Sequence, residues 1–435
     1  MVREGLQPLT LPDTYYARVA SAEPERPSLS GDREADACVV GAGLAGLSTA
    51  LELVRRGRCV CVLEAERVAW GASGRNGGFV SPGYSASFQH IAGRVGHELA
   101  RELHRLSIEG AEAVADNILS LRMRDVNRTD GILSVARHEA TASLQAHRDW
   151  LEHEFNYRLE FRTRAQVQAS LSSARYFQGL YNPNGFHMHP LNYARALARE
   201  IERLGGSVCE DSRALSIARD KAVCVVATAA GRVRCKDVVI ACGGYTDTLV
   251  PALKRSALPI ATYVMLTRPD RDLISRAVRT TAAIGDQRRA GDYYRLVEGG
   301  ERILWGGRIT TRTTEPRRLA RLLHRTMVST YPQLETLQVD LAWSGLMAYA
   351  RHLMPQIGRL REGLWYCTAF GGHGLNTTAI GGRVVAEAIS AQSDRHRLFE
   401  PFGLTWNGGV AGRAAVQATY WSLQVLDCLR EQRSG

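Results

Sequence analysis

A run of apolar residues followed by closely spaced glycines is the segment that most constrains the fold of this chain. The run ends at Val40, and Gly41, Gly43 and Gly46 follow in the spacing G-x-G-x-x-G. Residues 44–56 have the composition of a helix, so the segment predicts a buried strand, a tight turn and a helix whose N-terminus faces a phosphate. Glycines suit this turn because no side chain keeps an anion away from the backbone N–H groups.

The residues that follow extend the pattern to a second strand. Cys59–Leu63 is apolar and ends in Glu64, where a carboxylate can accept hydrogen bonds from ribose hydroxyl groups. An acid at this position disfavours a 2′-phosphate, and therefore NADP. Strand, turn, helix, second strand and acid together predict an adenine dinucleotide site, with NAD and FAD both still open.

The length and hydropathy of the chain limit the classes of protein to which it can belong. Its 435 residues exceed the ~250–300 at which a single core stops growing, which predicts two intertwined domains. No stretch approaches the ~20 apolar residues of a membrane span, and the N-terminus has Glu4 and prolines where a signal peptide has an apolar run. We therefore expect a cytoplasmic protein with no membrane span.

Charge and cysteine content point to no special partner. The net charge of +11 comes from arginines spread along the whole chain, with only three lysines. A diffuse surplus affects solubility more than it identifies a partner, so a nucleic acid is not expected. The nine cysteines lack C-x-x-C spacing and mostly fall in apolar segments, which is typical of buried thiols rather than metal ligands.

Two later segments repeat the strand and glycine turn of the N-terminal unit. One is the apolar run before Gly243 and Gly244, and the other is the strand 364–369, which precedes a glycine cluster and the apolar helix 380–389. Three separated pieces of the chain are thus expected to meet at the nucleotide. The middle third alternates strands with one helix, which predicts an antiparallel sheet with helical cover, and residues 181–190 are expected to be rich in turns.

Several short motifs stand in order over nearly the whole chain. They are Gly71-Ala72-Ser73-Gly74-Arg75-Asn76-Gly77-Gly78, His189-Pro190-Leu191-Asn192, Asp292-Tyr293-Tyr294-Arg295-Leu296, Trp305-Gly306-Gly307-Arg308, Trp343-Ser344-Gly345, Met354-Pro355-Gln356-Ile357-Gly358 and Gly372-His373-Gly374. In sequence, order and interval they resemble the gamma-glutamylputrescine oxidase group of the glycine oxidase and D-amino acid oxidase superfamily.

The resemblance implies an α/β (α+β) fold: a Rossmann-like FAD-binding domain of the glutathione-reductase type with a second, antiparallel-sheet substrate domain. With the strand pattern it gives expected domain limits. The expected parts are an N-terminal arm (1–33), a discontinuous FAD-binding domain (34–85, 186–250 and 350–395), a substrate domain (86–185 and 251–349) and a C-terminal extension with a helix (396–435).

The resemblance also implies FAD rather than NAD. The first glycine turn would lie near the pyrophosphate, Glu64 at the adenosine ribose, residues 73–78 beside the isoalloxazine and residues 371–376 along its pyrimidine edge. A helix opening at 371–376 would aim N–H groups at the negative charge of reduced flavin. The residues expected to contact FAD are Gly41, Ala42, Gly43, Leu44, Ala45, Gly46, Glu64, Ala65, Ser73, Gly74, Arg75, Asn76, Gly77, Gly78, Ala241, Cys242, Gly243, Gly371, Gly372, Gly374, Leu375 and Asn376.

Three departures from the wider superfamily refine this expectation. Relatives that hold a substrate carboxylate with a lysine have it where this chain has Asn376, which argues against a simple α-amino acid substrate. Relatives attach flavin through a cysteine in the region matching 343–349 or a histidine near Asn76, so the FAD here is expected to be non-covalent. No lysine follows Lys254 to assist reduction of oxygen, so oxygen, a quinone or another protein remains open as electron acceptor.

The candidate catalytic residues are His373, Tyr294, Trp305 and Arg308. An aromatic pocket favours a neutral amine, because desolvation lowers the pKa of an ammonium group. Tyr294 and Trp305 are weighed evenly between core and site, whereas Tyr293, Trp343, Tyr349 and Phe370 are expected in the core. His373 lies in a glycine turn, where a bulky side chain serves packing poorly.

Other polar residues have simpler interpretations. Arg308 and Arg351 could hold a substrate carboxylate, although a surface ion pair is the more common role for each. His187 and His189 form H-x-H without a third ligand nearby, so no metal is expected, and the resemblance makes His189 structural.

The predicted function is oxidation of a CH–NH or CH–NH2 bond in a small-molecule primary or secondary amine, such as a gamma-glutamyl-polyamine-like compound or a related amine or imino acid. Hydride would pass to flavin N5, the imine would hydrolyse to an aldehyde or ketone, and hydrogen peroxide would follow if oxygen is the acceptor. Two alternatives stay open: a flavoprotein subunit of a multi-component dehydrogenase, and a tRNA-modifying amine oxidase relative whose binding weakens with salt.

Overall fold

The computed structural model describes residues 11–288, 291–310 and 316–434. The strands are β1 (Gly31–Glu34), β2 (Ala37–Val40), β3 (Val60–Leu63), β4 (Phe79–Val80), β5 (Thr129–Val135), β6 (Glu160–Arg162), β7 (Gly179–His187), β8 (Ser207–Cys209), β9 (Ser216–Asp220), β10 (Val223–Ala227), β11 (Gly231–Cys235), β12 (Asp237–Ile240), β13 (Ala257–Thr267), β14 (Ala283–Asp286), β15 (Tyr293–Val297), β16 (Arg302–Thr310), β17 (Val339–Ala350), β18 (Gln356–Arg361) and β19 (Leu364–Thr368). The helices are α1 (Tyr15–Arg18), α2 (Leu44–Arg55), α3 (Phe88–Val95), α4 (His97–Ser120), α5 (Thr141–Phe155), α6 (Arg164–Ser170), α7 (Pro190–Arg203), α8 (Pro251–Ser256), α9 (Arg271–Ala277), α10 (Pro316–Thr330), α11 (Gly374–Ile389) and α12 (Gly409–Ser434).

A six-stranded sheet in the order β18-β19-β12-β2-β3-β8 carries the first glycine turn. Its strands are parallel except for β18, which pairs antiparallel with β19. Every residue of β2 and β3 is buried, as expected for parallel strands covered on both faces. Val39 and Val62 contribute to the core shared with α2, α7 and α11, whereas Cys38 and Cys61 contribute to the core shared with a four-stranded sheet, β1-β11-β10-β9.

A larger sheet forms the second layer of the molecule. Its strands run in the order β17-β13-β16-β15-β14-β5-β7-β4, with β6 paired to β7. The pairs are antiparallel apart from β5 and β14, which run parallel. Leu323 and Met327 of α10 pack with Tyr294 and Trp305 of the sheet in one buried cluster, so one face of this sheet is closed by helices.

This architecture confirms the predicted fold class, with a Rossmann-like parallel sheet and a second, mainly antiparallel one. The domain limits stay a prediction. The short strand β4 lies within the 34–85 segment assigned to the FAD-binding domain, yet it pairs with β7 in the larger sheet.

The expectation of turns over residues 181–190 is wrong for most of that segment. Residues Gly179–His187 form β7, which pairs with β4, β5 and β6. Turn-like hydrogen bonds occur only locally within the strand: Asn182 Oδ1 accepts hydrogen bonds from the N–H groups of Asn184 and Gly185. A register shift between Asp130 and Ile132 of β5 absorbs this irregularity, so the strand continues through it.

Candidate active site

A cavity of about 830 Å³ lies between the six-stranded sheet and the larger sheet. Its walls come from the first glycine turn, the segment around residues 70–81, the turn at 241–247, the hairpin between β14 and β15, and the turn at 369–376. Four of these five segments contain residues that were expected to contact FAD. The cavity therefore joins the predicted cofactor residues to part of the predicted substrate sheet.

Close contacts between backbone segments, rather than side-chain packing, determine the shape of the first glycine turn. Gly41 has φ +106°, and a Cβ on it would lie 2.9 Å from the carbonyl oxygen of Ala241. A Cβ on Gly46 would lie only 1.8 Å from the carbonyl oxygen of Gly41, so α2 can pack on the turn only with glycine there. Gly43 is the N-cap of α2, and Ser73 Oγ accepts a hydrogen bond from Leu44 N at 2.9 Å.

The acid after the second strand lies in the cavity wall, as expected. Glu64 accepts hydrogen bonds from Ala42 N at 2.7 Å and from Glu66 N at 3.0 Å. Burial raises the pKa of this carboxyl group, and the backbone donors partly oppose the rise. The carboxylate is thus held in one orientation before any ligand binds.

Some residues of the segment predicted to face the flavin line the cavity, and others hold those residues in place. Ser73, Asn76, Gly77 and Gly78 line the cavity. The Asn76 amide group fastens the loop, since Nδ2 donates to Ala72 O and Ser73 O, and Oδ1 accepts from Gly78 N.

Four of the predicted cofactor residues lie behind the wall and support it. Ala42 donates its N–H to Glu64, Gly46 packs on Gly41, and a Cβ on Gly74 would lie 2.5 Å from Ala69 O. Arg75 donates to the carbonyl oxygen of Trp70 and lies over its ring at 4.3 Å. Each of these four residues has a contact inside the protein, and their direct contact with FAD stays a prediction.

The second and third glycine turns reach the cavity as predicted. Ala241, Cys242, Gly243, Gly371, Gly372, Gly374, Leu375 and Asn376 line it, together with Ala45 and Ala65 of the first unit. Helix α11 begins at Gly374, within the 371–376 segment at which a helix was expected to open, so its first-turn N–H groups are at the cavity wall. The Asn376 side chain donates to Gly83 O and Ser107 O, which ties α11 to neighbouring segments.

His373 is the N-cap residue of α11 and lines the cavity. Desolvation at the cavity wall lowers the pKa of the imidazole. This shift favours the neutral form of His373, which adds no positive charge that would repel an ammonium group.

The aromatic wall consists of residues other than the two that were favoured. Tyr293, Tyr349 and Phe370 line the cavity, although each was expected in the core. Tyr294 and Trp305 are fully buried on the opposite face, where their rings stack at 4.1 Å. Both were candidate catalytic residues, and this expectation is corrected, since successive residues of a strand point to opposite faces.

The remaining candidate residues do not line the described part of the cavity. The side chain of Arg308 lies outside the described residues, and Arg351 is exposed at the surface. His187 and His189 are buried in structural roles: His187 bonds Thr281 O and Arg295, and His189 caps α7 by accepting from Asn192 N.

Several lining residues had no distinguishing sequence signal. Trp70 and Tyr245 stack edge to face at 5.4 Å beside the turns, and Asp286 and Arg288 stand in a hairpin with no recognised motif. Asp292 was within a recognised motif, but nothing in the sequence pointed to a role for its side chain.

Comparison with known proteins identifies the family. The family model described as FAD dependent oxidoreductase, DAO, matches residues 36–388. The chain belongs to the DAO family of FAD-dependent oxidoreductases. This enzyme is 32% identical to gamma-glutamylputrescine oxidoreductase of Escherichia coli, over 94% of this chain and 97% of that protein. It is 29% identical to the probable oxidoreductase OrdL of Haemophilus influenzae, over 89% of this chain and 90% of that protein.

Solved structures support the same fold. Glycine oxidase from Geobacillus kaustophilus aligns with a TM-score of 0.71 at 21% identity, covering 86% of this chain and 98% of that one. L-Proline dehydrogenase from P. horikoshii aligns with a TM-score of 0.68 at 17% identity, covering 86% of this chain and 98% of that one. Within the part of the oxidoreductase that the structure describes, no helix has the length and apolar content needed to cross a bilayer.

The residues of the cavity fit the FAD that the family implies. A Cβ at Gly41 would approach Ala241 too closely, and one at Gly43 would lie 3.0 Å from Ser73 Oγ, so the backbone stays open to a pyrophosphate there. Glu64 stands at the end of β3, where a ribose would be bound. The N-termini of α2 and α11 both reach the same cavity. Their N–H groups suit a cofactor that is negatively charged at two places, the pyrophosphate and the reduced flavin ring.

Proposed function

We propose that this enzyme oxidises the carbon–nitrogen bond of a primary or secondary amine with a non-covalently bound FAD. The observation that carries the proposal is that Tyr293, Tyr349 and Phe370 form an aromatic wall in the same cavity as the glycine turns. The similarity to a gamma-glutamylputrescine oxidoreductase supports a gamma-glutamyl-polyamine-like or related amine as substrate.

FAD, when bound, supplies the two-electron oxidation of the carbon–nitrogen bond. The protein contributes the conditions under which an amine can react. The aromatic wall excludes water, and this desolvation lowers the pKa of a substrate ammonium group so that a neutral amine forms. Neutral His373 lies on the wall without adding a competing charge, and the N–H groups at the start of α11 can stabilise negative charge on the ring system.

The cavity cysteines support non-covalent binding. Cys242 and Cys367 are the cysteines among the described lining residues, and desolvation raises the pKa of each thiol to about 12. Both are protonated at neutral pH, and a thiol is a much weaker nucleophile than a thiolate. We expect precipitation with acid to release all of the yellow chromophore into the supernatant, whereas a covalent bond would leave it in the pellet.

An anaerobic titration tests the reaction itself. Purified yellow protein is mixed with gamma-glutamyl polyamines, free polyamines, N-methyl amino acids or cyclic imino acids, and the ~450 nm flavin band is followed. We expect rapid bleaching by an amine class, and its return on admission of air would identify oxygen as acceptor. A protein that binds FAD but is bleached by none of these compounds would contradict the proposal and favour a subunit whose partner performs the reaction.

A further inference from the structure

The C-terminal helix α12 turns an apolar face away from the rest of the protein. Residues three or four apart on a helix lie on one face, and a set of exposed residues of α12 follows this spacing. The outward face consists of Ala411, Ala414, Ala415, Ala418, Trp421, Ser422, Val425, Leu426 and Leu429. Exposures of 53% for Trp421 and 60% for Val425 show that these large side chains are uncovered. None of the positions on this face holds a charged residue.

Polar contacts hold the opposite face of α12 to the protein. Gln417 is buried, and its Oε1 accepts a hydrogen bond from Thr310 Oγ1 at 3.0 Å. The Glu431 carboxylate lies 3.5 Å from the guanidinium group of Arg137 and 3.4 Å from that of Arg175. The apolar stripe of a surface helix ordinarily faces the core, so α12 shows the reverse arrangement. Its apolar face therefore lacks a covering surface within the part of the chain that the structure describes.

The size of this face is that of a contact surface. The 26 residues of α12 extend over about 39 Å, and a width of about 10 Å gives an area of about 400 Å². Single exposed apolar side chains are common, whereas a contiguous apolar patch of a few hundred Å² is typical of a site of interaction. Two such faces in contact would bury about 800 Å², less than the ~1,200 Å² of a stable interface, which predicts reversible association.

The two halves of the outward face differ in side-chain size. The first half holds Ala411, Ala414, Ala415 and Ala418, and the second half holds Trp421, Val425, Leu426 and Leu429. A two-fold dimer brings one patch against an identical patch, so the patch must be complementary to itself. Antiparallel pairing about an axis between residues 419 and 420 meets this condition, because each small half then lies against a large half. In this alignment Ala411, Ala414 and Ala418 of one copy lie close to Leu429, Val425 and Trp421 of the second copy, in that order.

We propose that α12 pairs antiparallel with α12 of a second copy, so that the enzyme forms a reversible two-fold dimer. The alanines allow the two helices to approach closely, and the large side chains of the opposite copy fill the remaining space. A lipid surface fits this face less well, because four of its residues are alanines with little apolar area for insertion. Dimerisation through α12 is independent of the proposed amine oxidation.

Sedimentation velocity of the FAD-loaded enzyme over about 1–200 µM tests the dimer. We expect the mass to rise with concentration from that of one chain to that of two. Val425→Glu places a charge in the buried contact and should raise the concentration of half-dimerisation about 10-fold or more. Leu119→Glu is the matched control, because Leu119 of α4 is 78% exposed and its replacement should leave association unchanged. A monomer at every concentration, or a dimer unaffected by Val425→Glu, would overturn the proposal.

An exchange of residues across the pair tests its antiparallel alignment. Ala418→Trp sets two indole rings against each other and Trp421→Ala leaves a gap, so each change should weaken dimerisation about 10-fold. The double variant restores a small residue against a large one and should dimerise within about 3-fold of the wild type. A double variant that dimerises no better than either single variant would contradict the alignment. FAD content and thermal melting identify a variant that has not folded, in which case the wild-type and Val425→Glu series decide.

Vesicle flotation separates a second copy from a lipid surface as the occupant of this face. The holoenzyme is mixed with vesicles of phosphatidylethanolamine and phosphatidylglycerol and centrifuged in a density gradient. We expect both the wild type and Val425→Glu to remain apart from the vesicles. Flotation of a monomeric wild type that Val425→Glu abolishes would assign the face to lipid and overturn the dimer.

Discussion

Replacement of Tyr294 by Phe tests whether this residue belongs to the core or to the site. Its hydroxyl group bonds Tyr331 at 2.6 Å and Tyr176 at 3.1 Å, and all three side chains are fully buried. The substitution orphans two buried hydroxyl groups at about 1–3 kcal/mol each, so Tyr294→Phe should destabilise the fold by about 2–6 kcal/mol. With ~2.1 cal/mol/K of unfolding entropy per residue over 435 residues, this corresponds to a Tm lower by about 2–7 °C.

The assay combines a melting curve with the rate of anaerobic flavin reduction by an amine. Tyr294→Phe should melt earlier and reduce at a rate within about 2-fold of the wild type, because its hydroxyl group lies on the face away from the cavity. The neighbouring Tyr293→Ala removes part of the cavity wall, and loss of that apolar contact, worth about 1.5–3 kcal/mol, should lower kcat/KM about 10-fold or more. A Tyr294→Phe enzyme with unchanged Tm and tenfold slower reduction would refute this assignment and return Tyr294 to the site.

Two further perturbations follow from the packing. Gly46→Ala should weaken FAD binding about 10-fold or more, because its Cβ would lie 1.8 Å from Gly41 O and overpacking costs about 1–3 kcal/mol. The control is Gly93→Ala in α3, which has open space around it and should bind FAD normally in a fluorescence titration. Equal FAD affinities of the two variants would contradict the close approach at Gly46. Desolvation, with Arg295 nearby, lowers the pKa of His187 to about 4, so the unfolded chain binds a proton that the folded one does not between pH 6.5 and 4. Stability should thus fall by about 2 kcal/mol from this group between pH 7 and pH 5, and His187→Gln should flatten the Tm-against-pH curve; an equally steep curve would show that His187 is not responsible.

The nucleotide unit was predictable because each of its signals is local. The strand ending at Val40, the glycines of the turn and the carboxylate of Glu64 lie within one short segment, and together they predict that the backbone approaches an anion. The later glycine turns were found for the same reason. In each case the backbone conformation requires glycine, and a glycine can be recognised in the sequence without knowing which residues pack against it.

The aromatic wall was less predictable because it depends on orientation. Tyr293 and Tyr294 are adjacent and chemically alike, so composition cannot separate them. Which one faces the cavity is set by the pairing of β15 with β14 and β16, where Tyr293 lies opposite Gly306 and Tyr294 lies opposite Trp305. If the register of this strand pairing had been known, the glycine opposite Tyr293 would have distinguished the two tyrosines. The ring of Tyr293 occupies the space that a side chain at Gly306 would need.

The charged residues of the hairpin between β14 and β15 had no local sequence signal. Asp292 needs the clearance provided by Gly307 on β16, and Arg288 is oriented through Glu431 on the C-terminal helix. These partners meet only after the large sheet and α12 have assembled, so no fixed spacing records them. The glycine turns differ in this respect: Gly46 is required by the backbone of Gly41 within the same short segment, so its role can be recognised from spacing.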